Sequence, residues 1–141
     1  MLHNYLTEGP VTIKLIASFL EKIGMETDSG GHSLFLGMVR ADKINGKIVK
    51  AIEYTAYKRM LSAEAEAIKK SILEEFEDVR SIDIIHSTGV VAVGEISLFV
   101  LVSAGHREQA IRANSKTVEL IKEKLPVWKK EIFNDDSHIW K

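Results

Sequence analysis

Four stretches of this 141-residue chain carry side chains able to do chemistry, and three of them are basic. In "SAGHREQA" (103–110) a strand runs into a small-residue turn, and a helix then opens on His106 and Arg107. The first turn of a helix exposes unpaired backbone N–H groups and the positive end of the dipole, which together suit an anion. Basic side chains are unfavourable there for the helix itself. They make sense if something negative binds; otherwise both point to solvent or pair with a carboxylate such as Glu108. Arg40 closes the run "LFLGMVR". Its planar fork suits a phosphate or carboxylate, although a first solvated residue after a strand explains it equally well.

The third stretch, "HSTGVVAVGE" (86–95), has the glycines of a turn and neither a GxGxxG nor a Walker pattern. His86 ends an apolar strand and reads as a satisfied, half-buried histidine rather than a catalytic one. The fourth, "KEKLPVWKKE" (122–131), holds four lysines. Lys122 falls on the helical line Ile111, Ser115, Val118, at the border of an apolar face. Beyond Pro126 the chain is extended, so Val127 and Lys129 share one side while Trp128 and Lys130 share the other. A lysine beside an apolar rim or other cations has its pKa lowered from about 10.4 toward neutrality. Only then is the amine useful as a base or nucleophile. On composition alone, a solvated helix end is the better account of these lysines.

The elements that must position these groups follow from periodicity. "VTIKLIASFLEKIG" places Ile13, Ile16, Ala17 and Leu20 at helical spacing, with Gly24 as a stop. "RMLSAEAEAIKKSILEEF" puts Met60 or Leu61, Ala65, Ile68, Ile72 and Phe76 on one side of a second helix. A third helix is predicted from about His106 to Leu125, with Ala110, Asn114, Val118, Ile121 and Leu125 inward, and Pro126 stops it. "HSLFLGMVR" and "KIVKAIEYTAY" read as strands forming a hairpin across the Asn45-Gly46 turn. "VRSIDIIHS", "EISLFVLVSAG" and "VWKKEIF" are further strands, and "NDDSHIWK" is a tail. The pattern implies one α+β domain over residues 1–141, with a mostly antiparallel sheet, two long helices and a shorter N-terminal one.

Composition excludes several classes. With no cysteine there is no disulfide, thiolate metal site or cysteine nucleophile. The five histidines form no HExxH-like pair, so no metal is expected. A net charge of −1 argues against bulk nucleic-acid binding. No run approaches the 18 or so apolar residues of a membrane span, and "MLHNYLTEGP" lacks signal-peptide character, so the expected compartment is cytoplasmic.

Five motifs in this order, "FLGMVR" (35–40), "KAIEYTAY" (50–57), "HSTGVVAVGE", "SAGHRE" and "KEKLPVWKKE", resemble the large, catalytic subunit of molybdopterin synthase over about residues 8–140. The resemblance implies an α/β-hammerhead fold and sulfurtransferase activity without a resident cofactor. It implies a central homodimer carrying two small ubiquitin-like sulfur carriers, a heterotetramer. The carrier's Gly-Gly terminus, as a thiocarboxylate, would deliver sulfur to cyclic pyranopterin monophosphate (precursor Z) and so form the dithiolene of molybdopterin. A sulfur-transfer enzyme without a thiol must receive its sulfur on another molecule, which agrees with the missing cysteine. By residue-to-residue match, Lys122 and Lys129 are the expected catalytic lysines, and Arg40, His106 and Arg107 the expected substrate-binding residues. His106 and Lys122 lie 16 positions apart, about 24 Å along one helix, so one small substrate can meet both only if two subunits share a site. Ser87 and Ile111 depart from the common family pattern without touching these residues. The competing expectations are a non-catalytic module that docks a ubiquitin-like partner, and a small-anion-binding domain using the His-Arg helix start alone.

Overall fold

The structure, a computed structural model, describes residues 4–141. Eight strands and three helices follow in the order β1 (Leu6–Glu8), α1 (Ile13–Ile23), β2 (Gly31–Met38), β3 (Lys43–Ile44), β4 (Lys47–Ala56), α2 (Lys58–Glu75), β5 (Val79–Ala92), β6 (Ile96–Ala104), α3 (Arg107–Lys124), β7 (Val127–Phe133) and β8 (His138–Trp140). The strands form one sheet of order β2-β6-β5-β4-β7-β8, with β1 parallel to β5 and β3 paired to β4. All other pairings are antiparallel, as the sequence pattern implied.

β6 explains the layering. All nine of its residues are buried because both faces are covered, so it reads as a continuous apolar run rather than an alternating one. Leu98, Val100 and Val102 pack with Ile82 and Ile84 under α2 and α3. Phe99 and Leu101 pack on the opposite face against Ile16 of α1. The long β5 joins two halves: Val79–His86 pairs with β6, and Gly89–Ala92 pairs with β4.

Three expectations are corrected. β2 pairs with β6, not β4; the Asn-Gly turn instead closes a small hairpin between β3 and β4, with Asn45 and Gly46 both at positive φ. The covered face of α1 is rotated: Leu15, Ile16, Phe19 and Ile23 face the sheet, while Ile13 is 71% exposed. Thr12 caps this helix by accepting from Leu15 N, which sets its start. Finally, the segment expected as a tail contains β8, which pairs with β7 and makes the last residue part of the fold. The inner face of α2 is as predicted, with Leu61 rather than Met60 buried. That of α3 includes Ala110, Asn114, Ile121 and Leu125 as predicted but also Ala113 and Thr117, while Val118 is only half-buried.

Candidate active site

A cleft of about 460 Å³ opens where the end of β2, the C-terminal end of α3 and the β4-β7-β8 half of the sheet meet. Arg40, Lys122 and Lys129 all line it, so the fold brings together three of the five residues singled out in the sequence. Each arrives by a different local device. A register shift at Gly37/Met38 ends the regular pairing of β2, after which Val39 N bonds Glu95 O (3.0 Å) and Arg40 leaves the sheet. Lys122 is one residue after the buried Ile121, on the rim of α3's covered face. Leu125 breaks the helix with extended ψ ahead of Pro126, and β7 then runs back along β4 with Lys129 opposite Tyr54. Strand alternation puts Val127, Lys129 and Glu131 into the cleft, while Trp128 packs on Tyr57 and Lys130 on Trp140 outside it. Lys124 is exposed and takes no part.

Four lining residues were missed. Tyr54 donates to Ser97 Oγ (3.1 Å), and Ser97 in turn reaches Gly37 O (3.5 Å), which ties β4 to the bulged end of β2. Glu131 is almost fully buried; its Oε1 has no hydrogen bond and lies 3.6 Å from Lys141 Nζ. Lys141 enters because its own N–H bonds Lys129 O (2.9 Å), extending the β7–β8 pairing. Alternation from Lys129 reaches Glu131 in the sequence, but nothing in the sequence signals Lys141, whose place depends on β8.

The electrostatics of the cleft are uneven. Burial pushes the Lys129 pKa down, and the neighbouring Lys122 and Lys141 ammonium groups push it further, while Glu131 opposes them. His86, 6% exposed, is more buried than expected, but it is satisfied: its Nδ1 donates to Ser87 O (2.8 Å), and its ring meets Tyr54 edge-on. Burial, helped by Lys129 and Lys122, lowers its pKa to about 4, so it is neutral at pH 7. Burial raises the Tyr54 pKa, with Glu131 adding to it, and keeps the phenol protonated. The site therefore offers cations around a neutral, hydrogen-bonding floor, with Arg40 at the mouth held only by an exposed pair to Asp42 (3.3 Å).

His106 and Arg107 are elsewhere. They stand at the opposite end of α3, where His106 lines a shallow depression with Asp78, Arg80 and Gln109. Glu108, the carboxylate expected beside them, pairs with Arg112 (3.2 Å), and the carboxylate that meets the His106 ring is Asp78. Among the described residues no cluster of His, Asp or Glu has metal-site geometry, and no helix is long and apolar enough to cross a membrane.

Residues 6–124 match the family described as MoaE protein. The chain belongs to that family. The molybdopterin synthase catalytic subunit of Dictyostelium discoideum is 41% identical over 122 residues, covering 85% of this chain and 77% of that one. The subunit of the same name from Drosophila willistoni is 35% identical over 142 residues, all of this chain but only 37% of that one. The crystal structure of molybdopterin synthase from Staphylococcus aureus superposes with a TM-score of 0.84 at 29% identity, covering 97% of this chain and 95% of that one. The cleft lysines and the His-Arg helix start of this MoaE-family chain are thus set in the fold of a molybdopterin synthase.

Proposed function

We propose that this chain is the catalytic subunit of a molybdopterin synthase, a sulfurtransferase that forms the dithiolene of molybdopterin on precursor Z. The sulfur comes from the thiocarboxylate at the C-terminus of a small ubiquitin-like carrier. One observation carries this beyond the names of relatives: a cleft holding Arg40 and Lys122 around a half-buried lysine, Lys129, whose pKa is pushed down. Such an amine gives up its proton more readily than a solvated one and serves as base or nucleophile at an acyl carbon. In this scheme Lys122 meets the carrier's terminal carbonyl as base or transient nucleophile, and Lys129 assists proton transfer or binds anionic oxygen. Arg40, His106 and Arg107 hold the cyclic phosphate and the pterin and stabilise charge as the phosphate ring opens.

The separation of the two basic groups supports a site shared between two copies. β2 is an outer strand of the sheet among the described residues, and it carries the exposed apolar side chains Leu34, Leu36 and Met38. Its two ends lead to the two groups. Met38 is followed by Arg40 and the lysine cleft, whereas Gly31 lies against the Arg107 backbone. If two β2 strands pair antiparallel about a two-fold at their midpoint, His106 and Arg107 of one subunit come beside Arg40, Lys122 and Lys129 of the other.

The deciding experiment mixes the purified chain with thiocarboxylated carrier and precursor Z and measures molybdopterin. Wild type forms product; Lys122→Ala and Lys129→Ala bind the carrier normally but lose turnover by about 100-fold or more. A chain that binds the carrier yet forms no product, under conditions where another synthase does, is instead a non-catalytic docking module.

A further inference from the structure

We infer that Asp78 is a positioning residue for His106, holding the imidazole by Nδ1 so that Nε2 is the nitrogen offered to the substrate, as an acceptor when the ring is neutral and as a donor to an anionic oxygen when the ring is protonated. The inference rests on the assignment of His106 to the substrate site, and its consequence for turnover stands or falls with that assignment.

Asp78 lies in the turn between α2 and β5, 28 residues before His106, and it is bonded repeatedly to the start of α3. Its carbonyl accepts from Gly105 N (3.0 Å), and its own N–H donates to Gln109 Oε1 (2.9 Å). Its Oδ2 accepts from His106 N (2.8 Å) and lies 3.2 Å from His106 Nδ1. The other oxygen faces Arg80 Nη2 at 3.8 Å. Any side chain at position 105 would overlap this carboxylate, so Gly105 is what lets the turn close on Asp78.

The chemistry of the pair settles which nitrogen carries hydrogen. Partial burial works to raise the Asp78 pKa, but the bonds from the His106 backbone and ring, with Arg80, outweigh it and bring it below the ordinary value. An ionised carboxylate can only accept, so Nδ1 carries a hydrogen in either ring state, and Nε2 accepts in the neutral ring and donates in the imidazolium. The exposures fit this division: the His106 side chain is 88% exposed, whereas that of Asp78 is 21% exposed. An untethered surface imidazole samples several rotamers and both tautomers. The Asp78 bond removes that freedom before the ligand arrives, so less ordering entropy opposes binding and reaction. The helix cap and the ring clamp come from one oxygen atom, which sets the ring relative to the backbone N–H groups at the same helix end.

The test uses the full chain with its carrier, comparing wild type, Asp78→Ala, Asp78→Ser and Asp78→Asn. Nitrogen NMR of the His106 ring, assigned with His106→Gln and recorded at mildly alkaline pH, reads the tautomer directly. Wild type shows the Nδ1–H form, and Ala and Ser, which cannot reach the ring, shift it toward Nε2–H. Turnover falls about tenfold in Ala and Ser with the KM for the carrier unchanged, while Asn, whose amide oxygen accepts the same two bonds, stays within about threefold of wild type. Should Ala fail to fold, Ser keeps a polar oxygen at the turn and carries the comparison. A wild-type ring spectrum in Ala or Ser overturns the positioning role whatever the activity. A changed spectrum with full turnover, in a protein that His106→Ala inactivates, overturns its consequence for the reaction. Full turnover in His106→Ala itself overturns instead the assignment of His106 to the site, and the spectrum still decides whether Asp78 holds the ring.

Discussion

Lys129 is held between influences of opposite sign, and that makes its protonation adjustable by its neighbours. Burial and the ammonium groups of Lys122 and Lys141 favour the neutral amine, and Glu131 favours the charged one. Glu131→Gln therefore moves the rising limb of the rate-against-pH profile to lower pH, and Lys122→Met moves the residual activity's limb to higher pH. Stopped assays of molybdopterin formation across pH read both. His86 makes a prediction about stability rather than rate. Its pKa falls from 6.5 when unfolded to about 4 when folded, so between those values the unfolded chain binds more protons. Its contribution is complete above pH 6.5, shrinks as pH falls, and is gone near pH 4. That change corresponds to at most about 3 kcal/mol. Urea unfolding at several pH values should show this slope, and His86→Gln should flatten it.

At the scale of elements, the two ends of α3 are seated by different means. Its C-terminal end is released by Pro126 into β7, which lets Lys129 double back toward Lys122. Its N-terminal end is pressed against the sheet at a glycine pair. A Cβ on Gly31 would stand 2.8 Å from both Cα and N of Arg107, and one on Gly30 2.7 Å from Gly105 O. Backbone atoms cannot swing aside as a long side chain does. Gly31→Ala is thus expected to destabilise the protein by about 1–3 kcal/mol and to displace the His106-Arg107 turn. Denaturant unfolding measures the first effect. A loss of turnover without loss of carrier binding reports the second.

For the whole molecule, the shared-site proposal makes a quantitative claim. A dimer of a Lys122→Ala chain with an Arg107→Ala chain contains one intact site and one doubly defective one. Random mixing of two inactive variants makes half of all dimers hybrid, so activity recovers to about one quarter of wild type. Recovery requires subunit exchange, which refolding or co-expression provides. No recovery, with hybrid dimers verified by mass, rules out the two-copy site. Full activity in a monomeric chain does the same.

The candidate site residues could be proposed from the sequence because the signals that mark them are local. A His-Arg pair at a helix start, an arginine ending a strand and lysines flanking a proline break need only a few neighbours to be recognised, and helical spacing found the buried face of α2 and most of that of α3. What the sequence could not decide is which separated elements lie side by side. The partner of β2 was misassigned because the Asn-Gly turn signals a hairpin without naming its second arm, and β6, covered on both faces, won the pairing. Lys141 joins the cleft, and Asp78 joins His106, only through contacts between segments 12 and 28 positions apart. Periodicity records the environment of a residue along its own helix or strand. A carboxylate that tunes or orients a distant cation leaves no such trace, since its effect is set by distance through space, and only the tertiary structure fixes that distance.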